Sequence, residues 1–154
     1  MADFSLEVAI SPDAAVMRLK SAINRPKKRM LGVLKTNAEY VGVAEGRAFE
    51  VWERQQRAVH AFGQVRGIKG GGRIEVRFFL PPRTRILLGL FFVLYAIAGL
   101  GITARGEDGL SAVDIVLVIT GAIVLAGLFQ IAALRQRADL RSFLEGVFSD
   151  TPRV

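Results

Sequence analysis

The residues that could do chemistry in this chain are few. His60 is the only histidine and there are no cysteines, so no thiolate site, disulfide or His/Cys metal centre can be assembled. Alternation over residues 58–68 puts His60, Phe62, Gln64 and Arg66 on one face of a strand and Val59, Ala61, Gly63 and Val65 on the other. A lone histidine in such a pattern reads as structural. The carboxylates Glu39, Glu45, Glu50, Glu53 and Glu75 are scattered. Glu50 lies two residues from Trp52 on one strand face, which supplies half of an acid–base site and no second carboxylate at a defined distance. Ser-His-Asp chemistry would have to use His60, and no G-x-S-x-G elbow is present. Lys69-Gly70-Gly71-Gly72 reads as a hairpin loop; its three glycines lack the phosphate-loop spacing and precede a strand pattern. The expectation is a non-enzymatic protein with no cofactor and no metal.

Basic side chains are the remaining chemistry. Arg25, Lys27, Lys28 and Arg29 form the densest run, and Arg83, Arg85, Arg135 and Arg137 flank two apolar stretches. Such groups can contact anionic lipid headgroups, at about 1 kcal/mol per residue near a membrane surface. The plainer reading of residues 25–29 is a solvated turn after a helix, and a nucleic-acid patch is the weakest reading.

What positions those arginines is the pair of stretches they flank. Residues 86–104 and 115–134 carry no charge. At about 1.5 Å per residue each helix would span roughly 30 Å, the thickness of a bilayer core. A transmembrane helical hairpin is expected over residues 83–134. Net charge is +8 over residues 1–85, −2 across the turn and its edges, and +1 over residues 135–154. Basic groups crowd the outer flanks and avoid the turn, so the positive-inside rule puts both termini in the cytoplasm. The N-terminus, MADFSLEVAI, has no basic region before an apolar core, so the first span is expected to act as its own insertion signal. In a bacterium this means the inner membrane. Apart from Tyr95 neither span holds an ionisable group, which disfavours a proton-coupled pump. Ala122 and Ala126 form a small-xxx-small pair, read as packing within the hairpin or as a seam to a second copy.

Residues 1–82 read as a cytoplasmic α+β domain. Phe4, Leu6, Val8 and Ile10 alternate with polar or small residues, giving a strand. Ser11, Pro12 and Asp13 open a helix as N-cap, N1 and a first-turn acid, with Val16, Leu19 and Ile23 on one stripe. Strands follow over residues 39–44, 47–53, 58–68 and 73–80, with Pro81-Pro82 as the stop. The expected order is β-α-β-β-β-β, a small antiparallel sheet with one helix on its apolar face.

Residues 135–154 form an amphipathic helix and tail. Leu140, Phe143, Leu144, Val147 and Phe148 make an apolar stripe, with Arg135, Ser142 and Gly146 opposite. The stripe suits docking on the domain or lying in the membrane interface.

Four segments carry a wider likeness: Pro26-Lys27-Lys28-Arg29, Phe62-Gly63-Gln64-Val65-Arg66-Gly67-Ile68, Arg73-Ile74-Glu75-Val76-Arg77 running through proline into the first span, and Arg141-Ser142-Phe143-Leu144-Glu145. With them the chain resembles small uncharacterised bacterial membrane proteins that have an N-terminal cytoplasmic α+β domain, a two-helix transmembrane hairpin and a short C-terminal amphipathic helix. The resemblance implies an architecture and carries over no activity and no functional residue. The expected partners are the lipid bilayer, its anionic headgroups, a protein partner and a second copy of the chain; nucleic acid is not expected. The other readings are a membrane-tethered carrier for a small apolar ligand, lined by Phe49, Val51, Ile74, Val76 and Phe78, and an oligomeric pore.

Overall fold

The computed structural model describes residues 2–23, 27–28, 35–36, 39–55, 58–103 and 111–152. Its elements are β1 (Phe4–Val8), α1 (Pro12–Ala22), β2 (Lys27–Lys28), β3 (Lys35–Thr36), β4 (Tyr40–Glu45), β5 (Ala48–Glu53), β6 (His60–Ile68), β7 (Gly71–Phe79), α2 (Pro82–Thr103) and α3 (Ala112–Val147). Two compact units result: Met1–Leu80 with Arg135–Val154, and Pro81–Leu134.

The first unit is built on a five-stranded antiparallel sheet in the order β1-β7-β6-β5-β4. Register puts Leu6 opposite Ile74, Ile74 opposite Val65, and Val76 opposite Gly63, which itself faces Phe49. The apolar members of each strand therefore share one face. Leu6, Val8, Phe49, Val51, Ala61, Val65, Ile74 and Val76 are buried there. Helix α1 covers this face with Ala15, Val16 and Leu19, and Ile23 is buried just beyond its end. Its start is as the sequence predicts: the Ser11 hydroxyl accepts the Ala14 N–H at 3.3 Å and Pro12 is the first helical residue. Gly63 makes room for the Phe49 ring, which any Cβ at that position would overlap.

Three expectations are corrected. First, the element order differs: β2 and β3 pair as a separate two-stranded ribbon between α1 and β4. Two residues per strand are too few for alternation to show in a sequence. Second, the loop before β7 is shorter than residues 69–72. Ile68 pairs with Gly71, so only Lys69 and Gly70 turn the chain, and Gly70 takes the positive φ of 91°. Third, the second apolar run and the amphipathic stretch are not separate helices. They form the single 36-residue α3, since residues 134–140 contain neither Gly nor Pro to end it.

The far end of α3 docks on the sheet rather than standing free of the domain. Leu140 and Leu144 are 1% exposed and Phe148 is 3% exposed. Phe143 stacks on Tyr40 at 4.1 Å, and Arg141 lies over the Phe4 ring at 4.8 Å. Tyr40 and Phe4 belong to the apolar face, so α3 and α1 share it. Beyond the helix, the Ala9 N–H donates to the Pro152 carbonyl, and Arg18 bonds Thr151 and Asp150.

The second unit is α2 with the first part of α3. Both helices are long and apolar enough to cross a membrane, and none of their most apolar windows is buried. They touch through Gly99 against Val118, through the Tyr95 hydroxyl seated on Gly121, and through Phe91, Phe92 and Phe129 edge to face. Ala122 is half-buried and Ala126 exposed, so this small-residue pair is only partly used inside the unit. The polar turn is expected over residues 105–111; of these only Ser111 lies within the described residues, where its hydroxyl and N–H bond the Asp114 carboxylate.

Candidate functional site

Two arrangements in the first unit bring polar groups together. The first is on the sheet face that α1 and α3 leave uncovered. Cross-strand register aligns Trp52, His60 and Phe79 in one row. His60 stacks on Trp52 at 4.9 Å and tilts against Phe79 at 5.8 Å. Its Nδ1 lies 2.6 Å from a Glu50 carboxylate oxygen. The Trp52 indole N–H is buried and has no acceptor. Further along this face Arg73 pairs with Glu7 at 2.5 Å and Arg66 with Glu75 at 3.5 Å. A depression of about 200 Å³ opens here, and another of about 450 Å³ lies where the β4–β5 turn meets β6. Phe62, Gln64, Arg66 and Arg77 line the first, and Arg47, Gln64 and Arg66 are among those lining the second. Neither reaches His60. The Glu50–His60 contact is absent from the sequence reading, although both residues fall on the polar faces of strands that turn out to be neighbours.

The second arrangement lies where α3 reaches the domain. Gln136, the first α3 residue to be buried there, accepts the Val59 N–H with its side-chain oxygen at 3.1 Å. This buried polar anchor has no signature in the sequence beyond its place on the stripe four residues before Leu140. Next to it, Arg137 is half-buried, and its Nε is fully buried with no hydrogen-bond partner. Arg141 differs: its Nε donates to Glu145 at 2.9 Å. Around Tyr40 the charge is negative. Burial, then Glu39, Asp139 and Glu53, push the Tyr40 hydroxyl up to about 12. Burial first, then Asp139 and Glu39, also raise the Glu53 carboxyl above its ordinary value.

The basic residues singled out in the sequence fall as follows. Arg83 and Arg85 are exposed on the first turns of α2. Arg135 is exposed on α3, and Arg137 is half-buried as described. Lys27 and Lys28 are the two residues of β2. Arg25 and Arg29 lie outside the described residues. Among the described residues no group of three metal-binding side chains is present. No family model, curated protein or solved structure matches the chain.

Proposed function

We propose that this is a non-enzymatic integral protein of a bacterial inner membrane. The chain crosses twice, both termini are cytoplasmic, and the α+β domain works at the membrane surface on lipid headgroups or a protein partner. One observation carries the proposal: α2 and the first part of α3 leave their large apolar side chains outside any protein core. Ile86, Leu90, Val93, Leu94, Ile97, Val116, Leu117, Ile119, Ile123 and Val124 are all more than half exposed. A contiguous apolar surface of that extent is stable in hydrocarbon and not in water. A core helix of a soluble domain would have this surface covered.

The arginines agree with the same orientation, since Arg83 and Arg85 precede the first run and Arg135 and Arg137 follow the second. Packing disfavours the carrier reading. Of the residues expected to line its cavity, Phe49, Val51, Ile74 and Val76 are buried in one core with Leu6, Leu19 and Ile23, and Phe78 is half-buried.

Alkaline carbonate extraction of membranes tests the anchor, and a reporter fused after Val154 tests the topology. The chain is expected in the pellet with a cytoplasmic reading. Release into the supernatant removes the membrane assignment, and a periplasmic reading reverses the orientation.

A further inference from the structure

We propose that α3 carries a seam for a second copy of this chain, on the side of the helix turned away from α2, in which Gln130 bonds its own counterpart across a two-fold axis. This rests on the membrane reading above and names the partner and the contact within it.

Val116, Thr120, Ile123, Gly127, Gln130 and Leu134 follow one another at steps of 4, 3, 4, 3 and 4 residues. At about 100° per residue they share an arc of about 80°. All six are exposed. Val118, Gly121 and Phe129, which touch α2, lie on the other side of the helix. Alternating steps of three and four are the a and d positions of a heptad, the repeat that lets two helices interlock at a crossing of about 20°. This stripe is separate from the Ala122 and Ala126 pair: Ala122 is half-buried, and Ala126 falls roughly 80° from the centre of the stripe.

Gln130 gives the seam its partner. Thr120 and Gln130 are the two hydrogen-bonding side chains of the charge-free run over residues 115–134, and both fall on the stripe. Neither has a hydrogen-bond partner among the described residues. A threonine hydroxyl can turn back onto the carbonyl four residues earlier. A primary amide has two N–H groups and a carbonyl, and the interior of a helix backbone has no spare group for them. Gln130 is four residues inside the end of the run, about 6 Å along the axis. Helical side chains lean toward the helix N-terminus, which for Gln130 is into the hydrocarbon and away from the nearer interface. Against lipid alone its amide is unsatisfied, a cost that a donor and an acceptor on another helix remove.

A second copy supplies both. Two copies that insert in the same orientation bring α3 beside α3 in parallel, and a two-fold axis between them makes each stripe residue meet itself. An amide donates and accepts, so two Gln130 side chains bond reciprocally, and so do two Thr120 hydroxyls. The stripe holds no charge to oppose the approach. Gly127 has nothing within 4 Å of where a Cβ would stand, which lets the two backbones come close.

The test uses the full chain in lipid vesicles. The chain has no cysteine, so single introduced cysteines report proximity by oxidative cross-linking. Thr120→Cys, Ile123→Cys and Gly127→Cys are expected to give a dimer band. Leu117→Cys and Leu128→Cys, about 100° or more from the centre of the stripe, are expected to give little. Energy transfer between two labelled pools, diluted with lipid, measures the affinity. Gln130→Leu is expected to weaken it about tenfold, the scale of interhelical hydrogen bonding in a bilayer. Gln130→Asn keeps an amide and is expected to stay within about threefold of wild type. Equal cross-linking at all five positions overturns the proposal, and so does unchanged affinity in Gln130→Leu. Loss of affinity in Ala126→Ile with none in Gln130→Leu hands the seam to the small-residue pair, and a ladder beyond the dimer overturns the two-fold arrangement. Carbonate extraction of the same variants separates the seam from the reading it rests on. Protein in the pellet without cross-links removes the seam alone; protein in the supernatant removes the membrane reading with it.

Discussion

Truncating Leu140 tests whether the end of α3 is held by the sheet or merely rests on it. Leu140 is 1% exposed, so Leu140→Ala removes buried side-chain volume with no solvent to refill it. Such truncations cost about 2–5 kcal/mol in well-packed cores. The site is near the middle of the docked segment, between Gln136 and Leu144, where neighbours on both sides resist collapse. A cost of about 3 kcal/mol is therefore expected, which is roughly a hundredfold rise in local opening at about 1.4 kcal/mol per decade. Hydrogen exchange read by mass spectrometry in lipid nanodiscs measures it directly. Peptides covering residues 136–148 should exchange about a hundredfold faster. The Val59 amide, which donates to Gln136, should lose protection with them. Ile123→Ala is the control: that side chain is 67% exposed and in the other compact unit, so it should leave these peptides unchanged. An exchange rate within about threefold of wild type for Leu140→Ala would refute the packing argument, since no buried leucine in a closed core behaves that way.

Three further outcomes follow from the same structure. Leu94→Arg, in the middle of α2, should impair insertion by about 2.5–3.5 kcal/mol, and unchanged membrane fractionation would count against a span there. Gly63→Val should push the Phe49 ring out of place at about 1–3 kcal/mol, seen as a lower thermal midpoint, and Phe49→Leu in the same chain should recover part of it; strict additivity of the two changes would contradict the contact. Glu53 holds its proton more tightly folded than unfolded, so its contribution to stability is greatest below about 4.5 and is lost as pH rises through its raised folded value. Glu53→Gln should therefore be more stable than wild type near neutrality and should lose that advantage in acid; chemical melts at the two pH values that show no such difference would exclude the effect.

The single buried face of the sheet was legible because alternation is local. Phe4, Leu6 and Val8, or Ile74 and Val76, declare their common side within one strand. The Ser11-Pro12 start of α1 was legible for the same reason, since a cap acts over three or four residues. The extent of the apolar runs and the imbalance of arginine around them are also one-dimensional quantities, and they determined that two helices of membrane-spanning length would form. Tertiary structure alone decided the rest. It placed Glu50 against His60, seated Phe49 over Gly63, put the Tyr95 hydroxyl on Gly121, and carried α3 unbroken from the apolar run onto the sheet. It also left the Arg137 N–H without an acceptor. The physical reason is distance along the chain. Gln136 and Val59 are 77 residues apart, and a contact of that kind depends on strand register and on the azimuth of a helix, neither of which leaves a period, a cap or a run length in the sequence.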